Sequence, residues 1–403
     1  MTLDSGGRSG ILRAEQSMKK TLSLLLLSLG LGASAAELKI TSLTSATGTV
    51  PLTLQNEARA AINRGLRWLE AQQQADGHWS NADFPALTAL PLWALTKGGS
   101  ENQAAIANAK KYILSCVHPS GAIFREPAVK QKGGGLANYN TALCMTALHL
   151  LNDPALAPVV LKARAFIAGT QHLGDDEYRG GMGYDPATGR AYADLSNSYI
   201  AYEAMRLTQA VEDLRKGGEK KADLDWQAAA EFVTRIQNKA HTPHDPNAGG
   251  FAYKPGASQA GTTTNAAGEM QLRSYGSMTY AGLLSLIYAD VDRHDPRVQS
   301  AFNWAAHHWS LEQNPGMGQQ GLYYFYNVLT KALAVHGSEQ VPTATGDVGW
   351  RVAILTKLIG LQKIEAATGH GYWVNAENRW MEGDRVLVTA YALIALATAL
   401  GHS

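Results

Sequence analysis

One frame recurs through this chain. An amphipathic helical stretch ends in Gln, a glycine-plus-aromatic stop follows, and a second, almost wholly apolar helical stretch comes next. The fullest copy reads Arg64-Gly65-Leu66-Arg67-Trp68-Leu69-Glu70-Ala71-Gln72-Gln73-Gln74-Ala75-Asp76-Gly77-His78-Trp79. Near-complete copies are Lys162-Ala163-x-x-Phe166-Ile167-x-x-x-Gln171 with Gly180-Gly181-Met182-Gly183-Tyr184, and Ala229-x-x-Phe232-Val233-x-x-x-Gln237 with Gly249-Gly250-Phe251-Ala252-Tyr253. Weaker copies pair Tyr112-Ile113 with Gly121 and Phe124, Trp304 with Gly316 and Gly318, and Gln362 with Gly369-His370-Gly371-Tyr372-Trp373. The apolar partners cover residues 86–95, 139–151, 196–207, 277–289, 322–335 and 386–400, and aligning them places Thr88, Thr141, Ser198, Thr279, Tyr326 and Thr389 in one column. The first-helix anchors are unequally spaced, which is the pattern of structural repeats carrying loop insertions.

A helix pair cannot bury its apolar face alone, so such units must stack. The second helices are apolar nearly all round and belong inside; the first carry a polar face, as in Glu70–Gln74 and Lys110-Lys111, and belong outside. The expected fold is therefore all-α, an α6/α6 toroid with inner and outer rings. Glycine makes up 40 of 403 residues, above the usual ~7%. Turn chemistry explains the excess, because glycine lets each linking turn adopt a positive φ.

The N-terminus reads as an address. From Met18 come two lysines, a mostly apolar run from Leu22 to Leu31 and an Ala-Ser-Ala-Ala exit before Glu37. That is the layout of a secretory signal peptide, and its apolar run is well short of the ~20 residues a membrane span needs. The expected organisation is an N-terminal extension and signal over 1–36, a linker over 37–57 and one toroid domain over 58–403, exported to the periplasm or beyond. Lys+Arg 35 against Asp+Glu 34 leaves a net charge of +1, so no nucleic-acid partner is expected. No membrane span is expected, and the chain is expected to be a monomer. Cys116 closes an outer helix and Cys144 opens its inner partner. Antiparallel packing would bring these ends together, so the two form a candidate disulfide.

The stretch from Arg64 to Trp79 resembles the Gln-Trp motif of squalene cyclases and related terpene synthases. The six helix pairs resemble the prenyltransferase/squalene oxidase repeats of the terpenoid cyclase and protein prenyltransferase toroids, over nearly all of 58–400. The segment Asn314-Pro-Gly-Met-Gly-Gln-Gln-Gly-Leu-Tyr-Tyr-Phe-Tyr is similar to exported bacterial members of that repeat group. The resemblance implies the toroid fold, yet the family's catalytic signatures do not carry over. The Asp-x-Asp-Asp acid of triterpene cyclases has no counterpart, the nearest strings being Asp290-Val-Asp292 and Asp175-Asp176-Glu177. The prenyltransferase zinc site, with Asp and Cys two apart, has none either. No cofactor and no metal are expected.

Connections from outer to inner helices lie beside the inner-helix N-termini, and the largest insertions, 125–138, 185–193 and 254–273, fall there. Insertions gathered on one face build a binding face. The candidate ligand residues are Asn140, Asp194, Asn197, Arg273, Tyr275, Gln320, Tyr323, Tyr326, Asp384 and Arg385, with Asn138, Gln319 and Tyr324 beside them. Plainer roles compete. Asn138, Asp194 and Asp384 stand where N-caps belong, the tyrosines have the spacing of core packing, and the arginines could cover apolar surface. His241-Thr-Pro-His244-Asp245 has ligand-type residues without helical pitch, His307-His308 sits on an outer helix, and Lys216–Lys221 reads as a solvated turn. Three functions remain open at this point. The first is an apolar or chain-like ligand, isoprenoid or lipid, in the central cavity, with enzymatic activity undecided. The second is a glycan-active enzyme resembling toroidal polysaccharide lyases, and the third a non-catalytic peptide- or protein-binding toroid.

Overall fold

Two kinds of helix alternate along the chain, and burial separates them. The computed structural model describes residues 49–402 apart from 127–134, 187–191, 243 and 266–267, so the signal-like segment 1–36 lies outside the described residues. The odd-numbered helices are α1 (Leu52–Ala71), α3 (Gln103–Ser115), α5 (Ala157–Gly169), α7 (Trp226–Ile236), α9 (Pro296–His307) and α11 (Trp350–Leu361). Each buries one stripe, as α1 does with Leu54, Ala58, Ala61, Ile62, Gly65, Leu66 and Leu69 at helical spacing. The even-numbered helices are α2 (Ala86–Gly98), α4 (Ala137–His149), α6 (Leu195–Leu207), α8 (Gly276–Tyr288), α10 (Leu322–His336) and α12 (Arg385–Ala399). They are buried nearly all round; every residue of α12 after Arg385 is covered.

The packing partners follow from that difference. Helix α2 packs on α4, α4 on α6, α6 on α8, α8 on α10, α10 on α12, and α12 back on α2. The odd helices pack against this cycle from outside, α3 on α2, α5 on α4, α9 on α8, and α1 on both α12 and α2. The first helix starts at Leu52, inside the stretch assigned above to a linker over 37–57. Pro51 precedes it with φ −58°, already suited to a helix start, and Leu54 and Ala58 reach the core.

Three side-chain devices brace the repeats, two within each unit and one between neighbours. The hydroxyls of the aligned column accept the main-chain N–H of their own stop loop: Trp79 to Thr88 at 3.2 Å, Ile123 to Thr141 at 2.8 Å, Met182 to Ser198 at 2.9 Å, Phe251 to Thr279 at 3.2 Å and Trp373 to Thr389 at 3.1 Å. Tyr326, the sixth member, instead donates to the Leu311 carbonyl at 2.5 Å. The motif glutamines bridge neighbouring outer helices. Gln73 donates to Gly77 and Ala105, Gln171 to Gly180 and Asp225, Gln237 to Gly249 and Arg297, and Gln362 to Ala61, where the last repeat meets the first. The Trp79 and Trp373 indoles donate to the carbonyls of Leu69 and Leu358, satisfying orphan groups at helix C-termini. Gly180 shows why the stop is glycine: its φ is +97°, and a Cβ there would lie 1.9 Å from the Ala228 carbonyl oxygen on the next outer helix.

Short antiparallel hairpins decorate this scaffold: β1 (Thr262–Thr264) with β2 (Met270–Leu272), β3 (Gln340–Thr343) with β4 (Gly346–Gly349), and β5 (Lys363–Ile364) with β6 (Gly371–Tyr372). The first lies inside the 254–273 insertion. Cys116 and Cys144 are both free and buried, so the candidate pairing left open by the sequence is not made. Each behaves as a small core hydrophobe, with Cys116 Sγ directed at the Tyr112 carbonyl at 3.4 Å. Among the described residues, no helix is long and apolar enough to cross a membrane.

Candidate functional site

The inner helices all begin at one end, and a cavity of about 240 Å³ opens there. Every inner helix contributes to it: Ala86 and Leu87 from α2, Tyr139 from α4, Ser196 from α6, Ser277 and Met278 from α8, Tyr324 from α10, and Leu387 and Tyr391 from α12. Phe84, Leu136, Tyr184, Tyr253, Gln259, Tyr275 and the run Trp380-Met381-Glu382 complete the wall from the connecting segments. Six tyrosines therefore face one small space. Burial pushes the phenols of Tyr139 and Tyr184 up to about 12 and raises those of Tyr253, Tyr275, Tyr324 and Tyr391 as well, so all are neutral hydroxyls in ordinary buffers.

The run from Arg379 to Glu382 forms a strap over the mouth. Trp380 and Met381 have φ of +55° and +65°, a left-handed conformation costly for residues with a Cβ, and both are exposed. The strap is pinned at either end. The Arg379 guanidinium donates to Gln259 at 2.7 Å and to Gln320, and lies 4.2 Å over the Trp380 ring. The buried Glu382 carboxylate accepts N–H bonds from Tyr324 at 2.7 Å, Tyr323 at 3.2 Å and the Asn375 side chain at 2.7 Å. It thus closes the N-terminus of α10 from another segment. Burial raises its pKa, and these donors hold it partly down.

Asp194 caps α6, accepting from the Asn197 main chain at 2.9 Å and side chain at 2.8 Å. Burial raises its carboxyl to about 6 against these donors, and Tyr253 of the cavity wall lies beside it, its carbonyl taking the Leu195 N–H at 2.9 Å.

The sequence-predicted residues divide sharply. Tyr275 lies in the cavity wall, as does its neighbour-candidate Tyr324, whose hydroxyl meets Ser196 Oγ at 3.0 Å. Asp194 and Asn197 stand directly behind that wall as a capping pair. The others do not line the cavity. Asn140 is buried between Ala86 N and the Gly135 carbonyl, and Asn138 donates to the Gly183 carbonyl. Tyr323 and Tyr326, three apart and so on one helix face, pack edge-to-face in the core, while the adjacent Tyr324 points to the cavity. Gln320 binds Arg379 and Gln319 donates to the Glu312 carbonyl. Asp384 caps α12 through Val386 N at 2.8 Å, Arg385 is exposed over the Tyr372 ring at 5.1 Å, and Arg273 is exposed.

Sequence reasoning missed Tyr139, Tyr184, Tyr253, Tyr391, Trp380 and Glu382. A signal existed for two of them. Tyr184 and Tyr253 close the Gly-Gly-x-x-Tyr stops of two repeats, where the residue after the glycines is buried beneath the hydroxyl column and the tyrosine two further on reaches the cavity. Glu382 had none, since the main-chain N–H groups it closes lie nearly sixty residues away in α10.

Both Glu382 oxygens accept N–H bonds, which offset only part of the upward push of burial on this carboxyl. Among the described residues, no group of three or more His, Cys, Asp or Glu is placed to hold a metal ion.

No family model matches the sequence, and no curated protein does. Solved structures do match. The type II terpene cyclase MstE from Scytonema superposes with TM-score 0.53 at 11% identity, over 87% of this chain and 99% of that one. A variant of that cyclase, solved with the substrate geranylgeranyl dihydroxybenzoate, gives TM-score 0.52 at 11% identity, over 88% and 100%. The Candida albicans protein geranylgeranyltransferase-I complexed with GGPP gives 0.51 at 14% identity, over 85% and 90%. An α-amylase from Clostridium perfringens gives 0.51 at 11% identity, over 87% and 99%. The chain is mainly helical and resembles these α/α-toroid structures, and at such identities the likeness concerns the fold alone.

Proposed function

We propose that the chain is an exported α6/α6 toroid that binds an apolar ligand of isoprenoid or lipid type in the tyrosine-walled cavity. One observation carries the reading: all six inner-helix N-termini converge on a space lined by Leu87, Leu136, Met278, Leu387, Met381 and aromatic rings. Transfer of hydrocarbon from water into such walls is favourable by about 25 cal/mol per Å². The cavity, about 240 Å³, is smaller than the ~300–1,000 Å³ of drug-sized sites. It therefore holds a compact group or the end of a chain, with the remainder leaving past the strap. The substrate and GGPP bound by the two isoprenoid-handling neighbours are consistent with this class. The signal-like segment over 1–36 supports export.

A glycan ligand is the second reading, supported by the exposed Trp380 ring at the mouth and by polar Gln259, Ser196 and Ser277 in the wall. Native mass spectrometry of protein purified from cells that export it separates the two. The expected result is a co-purifying isoprenoid or lipid, lost on Leu387→Trp, which fills the cavity. Recovery of an oligosaccharide instead would overturn the proposal.

A further inference from the structure

Four carboxylates are buried among the described residues: Asp194, Glu203, Glu212 and Glu382. Buried carboxylates are ordinarily paired with cations, because an uncompensated charge in a low-dielectric interior is costly. Two of the four obey. Glu203 meets Lys331 Nζ at 2.9 Å, and Glu212 meets Arg164 Nε at 2.8 Å and Arg215 Nε at 2.6 Å. Asp194 and Glu382 have no Lys, Arg or His within 4 Å among the described residues; neutral N–H donors satisfy their oxygens. Hydrogen bonds of that kind orient a carboxylate, but they leave its net charge in place.

These two are also the pair that border the cavity, Glu382 in its wall and Asp194 immediately behind Tyr253. The described wall contains no Lys, Arg or His, and aromatic rings make up much of it. Arg379 stays at the rim, engaged by Gln259, Gln320 and the Trp380 ring. Ring faces attract cations through their quadrupole, most strongly where water is excluded.

We propose that this cavity takes a weakly hydrated organic cation of the quaternary or tertiary alkylammonium class, whose charge is the counter-charge that Asp194 and Glu382 lack. The inference rests on the reading of the cavity as a ligand site and narrows its ligand to an apolar molecule with a cationic head. A primary ammonium is a poorer match, since its three N–H donors would need acceptors and the carboxylate oxygens are already engaged. A quaternary head needs none, and is held by the rings and by the field of the two charges. Diphosphate or carboxylate ligands meet the same field with the wrong sign.

Isothermal titration calorimetry with matched probes tests this on the purified protein at pH 7.5. Choline and its carbon isostere 3,3-dimethylbutan-1-ol differ in charge and share shape, while geraniol reports on plain apolar binding. The expected result is choline binding at least about tenfold tighter than the isostere, with the gap narrowed several-fold in Asp194→Asn and in Glu382→Gln. Asp194→Asn keeps a good N-cap residue, which guards against a variant of Glu382 that fails to fold. If geraniol binds and choline binds no better than its isostere, the cation proposal falls and the apolar-ligand reading stands. If none of the three binds, both fall.

Discussion

Asp194 is the residue at which folding and charge are most directly opposed. Its carboxyl stands near 6 in the folded chain against an ordinary 3.8, chiefly because it is buried. Between those two values the folded state binds more protons than the unfolded one, so stability falls as pH rises from about 4 to about 6. Asp194→Asn removes that slope while keeping the cap. The unfolding free energy of the variant minus that of the parent should rise by on the order of 2–3 kcal/mol from pH 4 to pH 7. Urea denaturation at the two pH values measures it, and an unchanged difference would show that Asp194 titrates normally. The capping role of this residue was readable from its place before an apolar helix. Its burial was not, because Tyr253 covers it from the next repeat, with its carbonyl taking the Leu195 N–H at 2.9 Å.

At the scale of the element, the hydroxyl column is what fastens each stop loop to its inner helix. Thr279 accepts the Phe251 N–H and donates to the Tyr275 carbonyl at 3.0 Å. Thr279→Val keeps the shape and leaves the Phe251 N–H buried without a partner, at a cost of about 1–3 kcal/mol. Thr279→Ser should recover most of that. Thermal or urea denaturation of the two variants checks the ranking, and equal stability of Val and Ser would remove the hydroxyl from the account. The column itself was visible in the alignment of repeats, and so were the glutamines. Which groups they bind was not, since Gln237 reaches sixty residues ahead to Arg297 and Gln362 reaches back to Ala61. The alignment also placed Tyr326 in the column, and its position at the start of an inner helix made it a candidate ligand residue; its hydroxyl turns instead to Leu311 and its ring to the core.

For the molecule as a whole, the cycle is closed by contacts between its two ends. α1 packs on α11 and α12, α12 packs on α2, and His402 approaches the Lys97 carbonyl at 3.4 Å. A ring of repeats closed in this way should tolerate a change in where the chain begins. A permuted chain opened between Gly217 and Gly218, where nothing lies near either glycine, and joined from 402 to 49 by a short Gly/Ser linker should fold with the same helical circular dichroism. Its melting temperature should fall by only a few degrees, whereas deleting α11 and α12 should abolish the cooperative transition. A permuted chain that stays unfolded would show that the order of the repeats, not only their closure, is required.

The sequence by itself determined the period, the alternation of half-buried and fully buried helices, the glycine stops and the hydroxyl column. Each of these depends on neighbours within one repeat, so local pattern and propensity suffice to specify it. It also placed the opening at the inner-helix starts. Only the tertiary structure decided which side chains face that opening, because six helices from the whole length of the chain meet there and a rotation of one residue exchanges Tyr323 for Tyr324. The strap, the two uncompensated carboxylates and the free cysteines belong to the same class. Their partners are set by packing between repeats, and no spacing along the chain records it.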